Sequence, residues 1–189
     1  WSLSVWQLFA GVLGSATYSL VGAGALVSKI NFPKEALVIA AVGTPLFDFL
    51  VRMLPVAVVF AWYGVLPPWQ ALWVPLLLLP LLLLALGLGF FLAVLNLAVR
   101  DIGNMVGTLL TFGMFAAPVF YPPPVTYPFY LVNVLNPFSP LLIATQDLLA
   151  HGALQHVGLF AGSVAFAVLM FLAGWRIFHL TMPRVAERA

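Results

Sequence analysis

The chain has 189 residues, 64% of them hydrophobic and 6% charged, with seven Lys or Arg against five Asp or Glu and no Cys. A soluble domain of this length needs a charged surface, so water is not its main solvent. The small positive balance is no nucleic-acid signal, and the missing Cys excludes disulfides, thiolate metal sites and thiol redox chemistry.

The charges are clustered. Lys29, Lys34 and Glu35 lie together, Arg100 and Asp101 lie together, and Arg176, Arg184, Glu187 and Arg188 close the chain. Trp1 to Ser28, Met53 to Val99 and Ile102 to Gln146 carry no charge. A membrane span needs roughly 20 apolar residues, so the clusters mark where an all-α integral membrane protein turns in water. The basic residues are expected on the cytoplasmic side, with the C-terminus.

In chain order, the first apolar run ends at the basic loop Ser28–Glu35. A span over about Leu37–Tyr63 follows. Gly64 and Pro67-Pro68 then make a tight hairpin, flanked by Trp62, Tyr63, Trp69 and Trp73 as interfacial aromatics. A Leu-rich span runs over about Trp69–Leu97, and Arg100-Asp101 turns the chain into a span over about Ile102–Phe120. Pro118, Pro122, Pro123, Pro124, Pro128, Pro137 and Pro140 argue against another continuous helix. Two further spans there would also strand Arg184 and Arg188 on the outer side. Val125–Leu149 is therefore expected to dip into the outer leaflet as two short helices turned at Asn136-Pro137. A loop lying flat on the bilayer is the alternative. The last span covers about Leu154–Phe178. The expected fold is five full or partial spans plus a re-entrant helical pair, in one domain covering residues 1–189.

No catalytic constellation is visible. His151, His156 and His179 lack metal-ligand spacing and have no paired carboxylates. Ser15, Ser19 and Ser28 have no His and Asp beside them to activate a hydroxyl. Gly22-Ala-Gly24 and Gly87-Leu-Gly89 lack the Lys-Ser/Thr of a phosphate loop, so helix packing accounts for them better.

Three features carry the remaining signal. Ser28-Lys29-Ile30-Asn31-Phe32-Pro33-Lys34-Glu35 is a short basic loop. Leu95-Asn96-Leu97-Ala98-Val99-Arg100-Asp101-Ile102-Gly103-Asn104 ends one span and starts the next. Ala117-Pro118-Val119-Phe120-Tyr121-Pro122 precedes Leu135-Asn136-Pro137 and a final span ending near Pro183-Arg184-Val185-Ala186-Glu187-Arg188. In this order they resemble the membrane subunit of type-2 ABC exporters, in particular the polysaccharide and polyol-phosphate export permeases.

The resemblance implies an ATP-driven exporter of two permeases and two separate ATPases in a bacterial inner membrane. It moves a lipid-linked polysaccharide or polyol-phosphate polymer. ATP and Mg belong to the ATPase, and no cofactor or metal to this chain. It also implies six spans and an amphipathic N-terminal helix. That helix, the first span and the start of the second would then precede Trp1. About Ser19–Glu35 would hold the coupling helix that docks on the ATPase, with Lys29, Asn31, Phe32, Pro33, Lys34 and Glu35 at the contact. Pro118, Tyr121, Pro122, Asn136 and Pro137 would form the outer mouth. Gln146-Asp147 departs from a pattern in which relatives often have Arg-Asp.

Asp48 and Arg52, four apart within a span, are expected to pair, either as a structural lock or as a polar point on a conduit wall or dimer seam. Arg100 and Asp101 read as a cytoplasmic anchor, with Asp favoured at a helix N-terminus. Phe112, Phe115 and Phe120 face lipid or stack on sugar rings. The rival functions are a drug or lipid permease, a membrane-embedded transferase and a secondary transporter. The transferase needs surface carboxylates or histidines, and the secondary transporter needs ionisable groups in several spans.

Overall fold

The computed structural model describes residues 1–23, 33–64, 67–123, 126–127 and 129–186, and side chains for all of these except residues 129 and 183–186. Among the described residues there is no strand. The elements are α1 (Ser2–Gly22), α2 (Glu35–Ala40), α3 (Gly43–Trp62), a 3-10 turn (Trp69–Trp73), α4 (Val74–Ala98), α5 (Ile102–Ala116), α6 (Phe129–Leu135), α7 (Phe138–His151) and α8 (Val157–Ala186). Glu35–Trp62, Trp69–Ala98 and Val157–Met182 are long and apolar enough to cross a membrane. The chain is an all-α, multi-pass membrane protein.

Three expected boundaries move, two of them at a proline or its neighbour. The span expected over Leu37–Tyr63 is broken between α2 and α3. Pro45 has no N–H to donate back to residue 41, and its ring crowds that carbonyl. The span expected to reach Phe120 stops at Ala116, where Ala117 turns extended at φ −108° and ψ 150°. The residue before a proline, here Pro118, is pushed out of the helical region. At 15 residues α5 rises roughly 22 Å, short of the bilayer core. The last helix starts at Val157 and runs to Ala186, about two turns past Phe178. Gly64 and Gly152 hold φ of 65° and 69°, and Gly152 ends α7 in the left-handed conformation.

α4 is the hub. It packs along α8 and α1 and also meets α2, α5 and α7. Its Leu81, Leu84, Ala85, Phe90 and Ala93 are buried. The closest approach is between glycines. A Cβ on Gly87 would stand 2.6 Å from the Met170 carbonyl carbon and the Phe171 nitrogen, and one on Gly174 would land on the Gly87 carbonyl. A Cβ on Gly89 would stand 2.6 Å from the Ala16 Cβ. In lipid, helices associate by close van der Waals packing, which small residues permit. Below this crossing, Phe90 packs edge-on to Phe178 with centroids 5.2 Å apart.

α6 and α7 form the short helical pair, turned at Asn136-Pro137. Phe138, at the start of α7, lies against Trp6 and Phe9 of α1 at centroid distances of 4.9 and 5.0 Å. Seven residues on, Thr145 accepts a hydrogen bond from Trp1 Nε1–H at 2.9 Å. Phe9 is eight residues along α1 from Trp1, about 12 Å by helical rise. α7 thus starts well down the bundle and climbs back to the end from which α1 begins.

Gly174→Ala should lower the thermal midpoint of the purified protein by the equivalent of about 1–3 kcal/mol, since the added methyl meets backbone rather than a movable side chain. Gly14→Ala, with open space at its Cβ, should be neutral or stabilising by about 0.5–1 kcal/mol from helix propensity. Equal midpoints for the two variants would contradict the α4–α8 crossing.

Candidate functional site

The helices gather chemistry at two ends. At one end stand Lys34, Glu35, Arg100, Asp101 and His179. At the other stand Trp1, the Pro118–Pro122 segment and the start of α8, with the Asn136-Pro137 turn set deeper in the bundle.

The first end is built around Asn96, which is 1% exposed near the end of α4. Its Nδ2–H donates to the Thr17 carbonyl at 3.1 Å, and its Oδ1 accepts from the Gly103 N–H at 2.8 Å. The first N–H groups of a helix lack partners within it, so Asn96 caps α5 from six residues away while gripping α1. Asp101 occupies the N-cap position of α5 without a side-chain cap bond, and it and Arg100 are exposed. The side chain that caps α5 is therefore Asn96 rather than Asp101. Tyr18 Oη–H donates to Asn104 Oδ1 at 3.2 Å, and its ring covers Gly103, where any Cβ would collide with it.

Of the expected ATPase contact, Lys29, Asn31 and Phe32 lie outside the described residues, and Pro33, Lys34 and Glu35 lead into α2. Ser19, expected at the start of that loop, is still helical, because α1 continues through Gly22. Glu35 is held from the far end of the chain: His179 Nδ1 of α8 stands 3.0 Å from its Oε1. This contact between the loop and the last helix was not visible in the sequence.

Asp48 and Arg52 do not pair. Among the described residues the ion pair is His179 with Glu35. Asp48 is exposed and Arg52 is half-buried on α3, a helix that packs chiefly on α1. An i, i+4 pair contributes only about 0.2–0.5 kcal/mol, too little to order two side chains that nothing else holds.

At the other end, the expected mouth residues satisfy the open carbonyls that end α5. Tyr121 Oη–H donates to the Phe115 carbonyl at 3.2 Å, and Asn136 Nδ2–H reaches the Ala116 carbonyl at 3.4 Å. Asn136 Oδ1 also accepts from the Phe138 N–H at 3.1 Å, which starts α7. Pro118 is buried, while Tyr121 and Pro122 are exposed. Gln146 donates through Nε2 to Ser2 Oγ at 2.7 Å and lies 3.4 Å from the Pro118 carbonyl. The amide thus ties α7 to α1 and to the broken segment without a charge.

Between the ends, α5 is buried only at Gly103 and Val106. Its exposed surface divides by helical angle. Asn104, Thr108, Thr111 and Phe115 share one stripe; Met105, Leu109 and Phe112 share the next. Thr108 and Thr111 donate their hydroxyls to the carbonyls of Asn104 and Gly107, at 3.1 and 3.0 Å. What remains toward the outside is acceptor capacity. Phe115 and Phe120 form a tilted pair with centroids 6.2 Å apart. Phe112 stands apart from them on the apolar stripe. The sequence reading singled out the rings and missed the threonines, although polar residues at i, i+4 and i+7 of an apolar helix were signal enough.

The sequence model described as ABC-2 type transporter matches residues 2–150. The chain is also 28% identical, over 185 residues, to the O-antigen export system permease protein RfbA of Myxococcus xanthus, covering 96% of this chain and 71% of that protein.

Because Asp48 and Arg52 do not meet, Asp48→Asn and Arg52→Gln should act independently on stability. Thermal unfolding of both single variants and the double variant should give an interaction energy below about 0.5 kcal/mol. A double variant much more stable than either single would restore the pair.

Proposed function

This chain belongs to the ABC-2 type transporter family, and from that premise we propose that it is the membrane subunit of an ATP-driven exporter of a surface glycan in a bacterial inner membrane. Two copies would pair with two ATPase subunits, which bind ATP and Mg. The glycan, lipid-linked or already released, would pass between the two permeases.

One observation carries the reading. α5 exposes a stripe of Asn104, Thr108, Thr111 and Phe115 within an otherwise apolar bundle. Polar groups at membrane depth face protein or a water-filled path rather than lipid. With their hydroxyl hydrogens used on their own helix, the threonines offer acceptors to sugar hydroxyls, and Phe115 offers a face for ring C–H groups. The stripe ends where Tyr121 and Asn136 hold the broken segment, which suits an outer gate. The named export role of the Myxococcus xanthus relative supports a glycan over a drug or lipid.

Coupling would enter at the opposite end. The loop ending in Pro33, Lys34 and Glu35 would lie on the ATPase, in the cytoplasm. The Glu35–His179 contact would carry its displacement to α8, and the glycine crossing would carry it on to α4. Asn96 would hold α5 to α1 and α4 as they move. Asp48 and Arg52 are exposed enough to meet the second copy or a further helix.

Loss of the gene should abolish the surface glycan on gels of whole-cell extracts, and an intact glycan would refute the reading. Thr108→Val and Thr111→Val each remove an acceptor of about 1 kcal/mol and should slow export by roughly five-fold. Leu109→Ile, on the neighbouring stripe, should leave it unchanged at equal protein levels. Equal export by all three variants would remove α5 from the path.

A further inference from the structure

α6 and α8 both pack on α7 and little on each other. A groove runs between them, made of two hollows. One, of about 90 Å³, is lined by Tyr130 of α6, Ile143 of α7 and His156 before α8. The other, of about 270 Å³, is lined by Leu135, Gly162 and Phe166. They share Val134, Pro140 and Leu159, so they form one continuous groove with α7 as its floor.

Depth, chemistry and access together say what fills it. The apolar length of α8 that can cross a membrane begins at Val157, so His156 stands near one surface. From His156 to Phe166 a helix rises about 15 Å, half of the roughly 30 Å hydrocarbon core. The groove thus runs the depth of one leaflet. Its wall is largely apolar. Such a wall does not hold water, and left bare it forfeits van der Waals contacts. Leu135, Gly162 and Phe166 are exposed, and Gly158 and Gly162 have open space where a Cβ would stand, so the groove opens sideways toward lipid. Its upper 90 Å³ has no room for a helix about 10 Å across. A single hydrocarbon chain has the right girth.

The rim selects a headgroup. Asp147 lines the upper hollow, and its Oδ2 accepts from the Gln155 N–H at 3.1 Å, which fixes the carboxylate in place. Among the described residues no Lys or Arg lines the groove. An ammonium complements the carboxylate, and a purely anionic headgroup meets it with no cation to offset the repulsion. The exposed His156 ring beside it can donate an N–H to a phosphate. We propose that the groove between α6 and α8 holds one acyl chain of a phospholipid with a primary-amine headgroup, its ammonium on Asp147 and its phosphate toward His156. The chain would wedge α6 and α7 against α8, making the position of the short helical pair depend on the surrounding lipid. This site requires only that the chain is embedded in a membrane and is independent of what is exported.

The test uses the full permease in nanodiscs of phosphatidylcholine, whose quaternary ammonium has no N–H to donate. A small fraction of phosphatidylethanolamine carries a diazirine midway along one acyl chain. After illumination, the cross-linked residues are mapped by mass spectrometry. Labelling at Val134, Leu135, Gly158 and Gly162 should exceed labelling at Leu76 and Leu79, exposed residues of α4 that report bulk lipid. Phosphatidylglycerol with the same diazirine chain should label the groove about ten-fold less, the worth of one hydrogen bond between charged groups. Asp147→Asn, which keeps the shape and loses the charge, should bring the two lipids level while leaving the α4 labelling unchanged. Gly162→Leu puts a side chain into the groove where a Cβ meets nothing. It should remove the groove labelling and unfold at or above the wild-type temperature. Groove labelling no higher than that of α4 overturns the proposal in favour of bulk lipid or another occupant. Equal labelling by the two lipids in the wild type overturns it, as does a preference that survives Asp147→Asn. A folded Gly162→Leu that keeps the groove labelling overturns it too. If Gly162→Leu does not fold, the lipid comparison and Asp147→Asn decide the matter between them.

Discussion

The rest of the structure depends on one steric fact, that α4 and α8 touch backbone to backbone at Gly87 and Gly174. Lipid tails are as apolar as leucine, so apolar side chains alone do not drive one membrane helix onto another. Close approach supplies the attraction instead, and only residues without side chains allow it. With α8 locked to α4 on one side and α1 seated against Gly89 on the other, the Leu-rich helix becomes a three-way seam. α3 and α5 are then left with most of their surface uncovered.

Polar contacts do a different job. Among the described residues, those that tie one element to another stand mostly at or near helix ends, where backbone groups lack partners. Asn96 supplies the start of α5, and Tyr121 and Asn136 supply its end. A helix of 15 residues with open ends would be poorly defined in an apolar setting. Capped from α4 at one end and from the broken segment at the other, it presents a defined face. That face carries the proposed path, so the caps are as much a part of function as the stripe.

The two ends of the bundle are linked through this frame. Glu35 and His179 join the start of α2 to the tail of α8, and the start of α8 lines a small cavity with α6 and α7. One continuous helix thus has a polar contact near one terminus and a largely apolar cavity at the other. On the proposed reading, a displacement at the first would reach the second through a helix packed along its length.

Much was legible in the sequence. The charge clusters and uncharged runs implied an all-α membrane protein, since charge placement and span length are properties of the chain itself. Proline density around residues 118–140 implied a broken segment, and Asn136-Pro137 its turn, because proline acts on its own backbone. The order of the loop, the Arg-Asp turn and the Pro-Val-Phe-Tyr-Pro segment pointed to the family. What the sequence left undecided was every question of facing. Asp48 and Arg52 had the spacing of a pair, yet only packing shows that nothing orders them together. Asn96 read as an ordinary residue before a turn, and only the meeting of α1, α4 and α5 makes it a cap. Spacing along a chain determines which residues share a helix face. Which neighbour that face meets is decided by contacts between residues far apart in sequence, and only the tertiary structure contains them.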